Sequence, residues 1–216
     1  MKKPADAKPL PRMRKMPTQA RAQATVETIF EATARIVGNE GEAALTTNRI
    51  ASEAGFSIGT LYQYFPSKEA VVLAMVQRRR DRIQEDIQRL LDRALASGQP
   101  VRAAVRDMLR LLVAAFGGSS AGQRRFLRMA WRLDHQDPVT QALREGAERQ
   151  AMALSELVCQ QAAPAVRPPS PARMFVLSRA VMGAIRSACL EDSPLLGSAP
   201  FEDELERLVW GLLRTD

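Results

Sequence analysis

Thr46-Thr47-Asn48-Arg49-Ile50-Ala51-Ser52-Glu53-Ala54-Gly55-Phe56-Ser57-Ile58-Gly59-Thr60-Leu61-Tyr62-Gln63-Tyr64-Phe65 is the stretch that decides the fold. It divides into two short helices around a glycine. Thr46 or Thr47 can cap the first, over Asn48–Ala54, and Gly55 breaks it. Ser57 can cap the second, which runs from Ile58 to about Phe65 and stops at Pro66. Two helices crossing steeply need a small residue where they approach, and Ala51 supplies it; Gly55 can take the left-handed conformation that the turn demands. Ile50, Ile58 and Leu61 are spaced to form a small core beneath both helices. Together these features predict a helix-turn-helix.

The outward face of such a second helix can enter a DNA major groove. Gly59 lets backbone come close to a duplex, and Thr60 can bond a base edge or set its methyl against a thymine methyl. The hydroxyls of Tyr62 and Tyr64 can meet phosphate oxygens, which fixes register without reading sequence, and Lys68 is a cation placed for the backbone. Tyr62 and Phe65 could instead be core aromatics, and Thr47 could be a helix cap alone.

Outward from this stretch every segment reads as helix, about nine in all, and none shows sustained alternation of strand type. Val26, Ile29, Phe30, Thr33, Ala34 and Val37 form one stripe between Thr18 and Asn39, ended by Gly38 and Gly41. Ser67 caps a long helix to about Ser97, closed by Gly98-Gln99-Pro100. Further helices are expected over 101–116, 123–133, 137–162 and 170–190, with Asp137-Pro138 and Ser170-Pro171 as start signals, and a last amphipathic one from Phe201 to Leu213. The fold class is therefore all-α. A basic arm (1–17), expected to be disordered, precedes a helix-turn-helix DNA-binding domain (18–66) and a helical-bundle domain for ligand binding and dimerisation (67–216).

Composition bounds the function. The chain has 216 residues, 46% hydrophobic and 25% charged, enough for a sizeable core. It holds no apolar run of the ~20 residues that cross a bilayer and no signal-peptide segment near its start, so no membrane partner and a cytoplasmic location are expected. The net charge is +7, and Lys2, Lys3, Lys8, Arg12, Arg14 and Lys15 against Asp6 place most of the excess before residue 18. Two roles fit that tail: an arm reaching DNA phosphates or a minor groove, or a solubilising leader. One histidine, His135, and two cysteines, Cys159 and Cys189, without a CxxC spacing argue against a metal centre, a disulfide framework or a catalytic triad. With no glycine-rich phosphate loop and no nucleophile elbow, no enzymatic activity and no cofactor are expected.

The segment Phe56-Ser57-Ile58-Gly59-Thr60-Leu61-Tyr62-Gln63-Tyr64-Phe65-Pro66-Ser67-Lys68-Glu69-Ala70 resembles the DNA-binding signature of the TetR family of bacterial transcriptional regulators. The likeness extends over about residues 25–72. It implies a three-helix DNA-binding domain, a fourth helix leading to a ligand domain, and a homodimer that binds palindromic double-stranded operator DNA, most often as a repressor that a small effector releases. Carried over by position, Thr47 and Arg49 resemble residues that touch phosphates. Ser57, Ile58, Gly59 and Thr60 match the base-facing edge, and Tyr62, Tyr64 and Lys68 match the phosphate clamp. Ile58 stands where some relatives have Lys or Arg, so guanine cannot be read from this position, and thymine methyls and DNA shape must carry more of the readout. From Thr25 to Lys68 the formal charge is negative, which leaves long-range attraction to the tail, Arg21 and the run Arg78-Arg79-Arg80-Asp81-Arg82, a run that also fits a solvated helix face.

Beyond residue 70 the resemblance is one of architecture. Met108, Leu112, Phe116, Met129, Trp131, Met152 and Phe175, with Phe126 and Met182, suit a pocket for a small apolar effector, or an ordinary core. Ala180, Gly183, Ala184 and Ser187 form a small-residue stripe. With Leu205, Val209 and Leu212 of the last helix, it would build the four-helix dimer interface that the resemblance implies, although packing within one chain would leave the same trace.

Overall fold

The computed structural model describes residues 20–117, 120–132, 149, 152, 155–157 and 170–213. Its described elements are all helical: α1 (Ala20–Glu40), a single 3-10 turn (Glu42–Ala44), α2 (Thr47–Glu53), α3 (Ile58–Tyr64), α4 (Lys68–Ser97), α5 (Val101–Gly117), α6 (Ala121–Arg132), α7 (Pro171–Leu190) and α8 (Ala199–Leu213). The arm 1–17, most of the helix expected over 137–162, His135 and Cys159 lie outside the described residues. The chain separates into two compact units, Met1–Arg78 and Arg79–Asp216, so the division falls inside α4 instead of before it.

The first unit is built on a small core. Ile29, Ile36 and Val37 of α1, Ile50 and Ala51 of α2, and Leu61 and Phe65 are all buried. Full burial of each of these side chains other than the Ala51 methyl contributes about 1.5–3 kcal/mol. The Phe30 and Phe65 rings pack with centroids 5.9 Å apart. Between α2 and α3 the turn closes on Gly55 at φ +73°. The Phe56 N–H bonds Ala51 O at 2.9 Å and the Gly55 N–H bonds Ser52 O at 3.1 Å, the pair that ends a helix on a left-handed residue. A Cβ at position 55 would be strained by this φ whatever the surrounding space. Ile58 departs from the expected core: the register of a seven-residue helix puts Leu61 inward and leaves Ile58 36% exposed.

The second unit has a long apolar interior. Ile83, Ile87, Leu91 and Ala94 of α4 meet α5, whose Val101, Ala104, Val105, Met108, Leu109, Leu112, Val113 and Phe116 recur every three or four residues. Leu127 and Trp131 of α6, Leu177, Val181 and Ile185 of α7, and Leu205, Val209 and Leu213 of α8 complete it. Ser170 caps α7 as its sequence foretells, accepting from Arg173 N at 3.2 Å with Pro171 in the first turn. At the far end Asp192 takes φ +54° where glycine is usual, and its carboxylate pairs with Arg128 at 2.6 Å.

Among the described residues this unit buries two charged side chains, Glu206 and Arg80. Glu206 of α8 lies within the packing and accepts from Arg102 Nε at 2.7 Å and Arg106 Nε at 2.6 Å, both one turn apart on α5. These bonds hold its carboxyl at a pKa of about 2. The run at 78–82 is a solvated face only in part: Asp81 and Arg82 are exposed, while the first three arginines are buried or half-buried. Arg78 pairs with Glu27 and stands over the Phe30 ring at 5.7 Å, within the first unit. In the second, Arg79 Nε donates to Ala115 O at 3.2 Å, closing the carbonyl end of α5, and Arg80 is buried. Desolvation lowers the pKa of Arg79.

Candidate nucleic-acid interface

The exposed edge of α2 and α3 follows from two caps and one inward stripe. Thr46 Oγ1 accepts from Arg49 N at 3.1 Å and starts α2, which makes Thr47 its first residue and frees that hydroxyl. Ser57 Oγ accepts from Thr60 N at 3.1 Å and starts α3. With Leu61 and Phe65 turned inward, the helical period leaves Ser57, Ile58, Gly59, Tyr62 and Gln63 exposed and Thr60 and Tyr64 half-buried. Tyr62, at 42% exposure, is therefore not a core aromatic, whereas Phe65 is fully buried.

The polar groups on this edge are already linked to one another. Thr47 Oγ1 and Tyr62 OH stand 3.4 Å apart, joining α2 to α3 through two hydroxyls expected at phosphates. Ser57 Oγ and Thr60 Oγ1 share a hydrogen bond of 2.9 Å, so Ser57 is first a cap. Arg49 is held by Glu40 at 2.8 Å, a bond that also raises its pKa. Lys68 Nζ donates to Leu45 O at 2.9 Å, which ties the start of α4 to the segment before α2. An ammonium has three protons, so this bond leaves Lys68 capacity for a second acceptor.

Gly59 is the informative position. Among the described residues, a Cβ built there would meet only Ser57 Oγ, at 3.7 Å, an ordinary contact. Its backbone is helical and its surroundings are open, so packing among the described residues gives no reason for glycine. Gln63, one turn after Gly59 on the exposed face, is a residue that the sequence reading passed over; its signal is that spacing alone. An amide at such a place has the donor and acceptor that match adenine in a major groove.

The other expected site residues divide. Met108, Leu112, Phe116, Met129 and Trp131 are buried, and the Phe116 and Trp131 rings lie 5.6 Å apart. Met152 and Phe175 are 74% and 60% exposed and are corrected as pocket residues: Phe175 projects from α7 under the guanidinium of Arg179. On α7, Gly183 and Ser187 are exposed while Ala180 and Ala184 are half-buried. Leu205 and Val209 are corrected as interface residues because they pack into their own unit; Leu208 and Gly211 are among the exposed residues of α8, with Leu212 half-buried. Among the described residues no group of His, Cys, Asp and Glu is placed to hold a metal, and no helix is long and apolar enough to cross a membrane.

Fold and site together define an all-helical chain that carries a helix-turn-helix near its start. Residues 29–75 match the family model "Bacterial regulatory proteins, tetR family". No curated protein matches the chain. Among solved structures it is similar to SmeT, the repressor of the Stenotrophomonas maltophilia multidrug efflux pump SmeDEF (20% identity, TM-score 0.63, covering 90% of this chain and 92% of that one). A SmeT–triclosan complex is similar too, at 19% identity and TM-score 0.62, covering 90% and 93%. A TetR family transcription regulator from Marinobacter aquaeolei VT8 shares 22% identity with a TM-score of 0.57, covering 91% and 98%. The fatty acid degradation regulator FadR from Bacillus halodurans shares 14% with a TM-score of 0.59, covering 92% and 97%. At these identities the likeness is one of fold.

Proposed function

We propose that the chain is a homodimeric repressor that sets two α3 helices into successive major grooves of a palindromic operator, roughly 34 Å apart, and leaves when a small effector binds the second unit. The observation that carries this is the face of α3: Gly59, Tyr62 and Gln63 are exposed, and Gly59 meets no packing demand. Backbone at Gly59 approaches the bases, Thr60 and Gln63 offer hydrogen-bonding groups, and Ile58 contributes apolar contact with thymine methyls. Thr47, Arg49, Tyr62, Tyr64 and Lys68 meet phosphates around that edge, with Ser57 fixing the helix start. The basic residues of 1–17 add attraction that salt weakens.

The dimer is assigned to the faces that α7 and α8 leave exposed: Phe175, Val176, Gly183 and Ser187 on one, Leu208 and Gly211 on the other, flanked by Ala180, Ala184 and Leu212. Among the described residues a Cβ at Gly183 or Gly211 would meet nothing within 4 Å, so close approach of a second copy is a reason for glycine there. The effector acts through α4, the helix that runs through both units. It must bind the non-binding conformation more tightly, since equal affinity shifts nothing. SmeT represses an efflux pump and forms a complex with triclosan, which supports repression and effector binding here by analogy of fold.

Selection of duplexes from a random pool, followed by anisotropy titration, tests the reading. A palindrome should emerge, and Thr60→Ala with Tyr62→Ala should reduce binding to the level of a random duplex. Selection of no preferred sequence, with binding that survives the double substitution, contradicts it and favours a charge-driven coating protein. Sedimentation should give twice the chain mass for the parent and the single mass for folded Gly183→Arg.

A further inference from the structure

Among the described residues of the second unit, Nε1 of Trp131 on α6 and Nε of Arg186 on α7 are buried donors with no hydrogen-bond partner. They belong to one cluster, because the guanidinium carbon of Arg186 stands 5.8 Å from the Trp131 ring centroid. Trp131 is only 6% exposed, so water does not relieve its N–H. Among the described residues no carboxylate pairs with Arg186; Asp192 is taken by Arg128 at 2.6 Å. Buried donors are nearly always satisfied in folded proteins, and an unsatisfied pair beside a cation calls for an acceptor that the described residues do not supply. Apolar surface flanks the donors: the Phe116 ring is 5.6 Å from Trp131, and Phe126 and Met129 are buried on the same helix.

We infer that Trp131 and Arg186 receive the head group of the effector, and that this effector is an amphipathic organic acid whose carboxylate accepts from both N–H groups while its apolar body lies toward Phe116. The inference rests on the effector role proposed above for the second unit and refines the expectation of a purely apolar ligand. A neutral hydrocarbon would leave both donors unsatisfied, and an amine would bring a cation to a cation. A guanidinium and an indole N–H suit a carboxylate because charge-assisted bonds are short and strong where water is excluded.

The test uses the full chain and two probes of equal length, octanoate and octylamine, read by calorimetric titration and thermal melting. Octanoate should bind saturably and raise Tm; octylamine should do neither. Arg186→Met should weaken octanoate roughly tenfold or more, while its own Tm, without probe, stays at or above that of the parent because a buried unsatisfied group is gone. Trp131→Phe, which keeps a ring beside Phe116 and removes the donor, should weaken octanoate as well. Absence of octanoate binding, equal binding of octylamine, or parent-like octanoate binding by both variants would each overturn the inference. The two readings fail separately: a chain that binds its operator but not octanoate loses only this inference, whereas one that binds octanoate and keeps its operator loses effector release.

Discussion

The two units of this chain use their residues in opposite ways. In the first, a few buried side chains, chiefly Ile29, Ile50, Leu61 and Phe65, hold three short-range packed helices, and the chemistry stands outside on α3. In the second, the side chains expected to meet a ligand, Met108, Leu112, Phe116 and Trp131, are the same ones that fill the interior. Core and display are therefore separable in the first unit and shared in the second. A substitution on the face of α3 can change function while the fold stands, whereas one near Trp131 changes both and needs a readout for each.

Removing a pillar of the small core is the harshest way to break that contrast. Phe65→Ala deletes the ring that packs on Phe30 at 5.9 Å and should cost about 3–5 kcal/mol, enough to unfold the first unit and abolish DNA binding. Chemical denaturation followed by circular dichroism measures it, and a cost below about 1 kcal/mol would mean that the unit does not depend on this core.

A smaller effect is expected where the second unit buries charge. Glu206→Gln removes the charge that accepts from Arg102 and Arg106 and should cost about 1.5–3 kcal/mol. The pH dependence carries a sign. The Glu206 carboxyl titrates at about 2 in the folded chain, below its ordinary value of 4.5. Its stabilisation is therefore present above the ordinary value and is lost as pH falls toward 2. Melting curves of the parent between pH 5 and pH 2 should show this loss, and those of Glu206→Gln should lack that portion of it.

The mildest expected change sharpens the comparison at the surface. Glu40→Gln releases Arg49 from its 2.8 Å ion pair. Because both side chains are about half exposed, Tm should not move measurably, while operator affinity should rise roughly two- to fivefold as Arg49 becomes free for phosphate. Anisotropy at fixed salt reads it; a lower affinity would show that Glu40 positions Arg49 instead of restraining it.

Local signals were legible in the sequence, and contacts across the chain were not. The caps Thr46, Ser57 and Ser170, the turn at Gly55 and the end of α4 at Gly98 all depend on a few adjacent residues, and each stands where its pattern placed it. Ile58 was ambiguous because a helix of two turns offers too few apolar positions to fix its inner face. The wide apolar stripe of α8 could not tell Leu205 and Val209, which face their own core, from Leu208, which faces out. Phe175 and Met152 looked like pocket residues by type alone, yet large apolar side chains also occur on surfaces. Glu206 was invisible because its two arginines lie on another helix about a hundred residues away. Likewise a run of arginines does not announce that Arg79 will close the end of α5.

The paired measurement of Tm and operator affinity for Gly59→Ala is the most direct test of the central claim, that α3 displays a face which the fold itself does not need. A methyl at this position meets only Ser57 Oγ at 3.7 Å, and alanine favours a helix over glycine by about 0.5–1 kcal/mol. The account predicts a Tm equal to or above that of the parent together with operator binding weakened roughly tenfold or more, on the order of 1.4 kcal/mol. Operator binding at parent strength by the folded variant would contradict it.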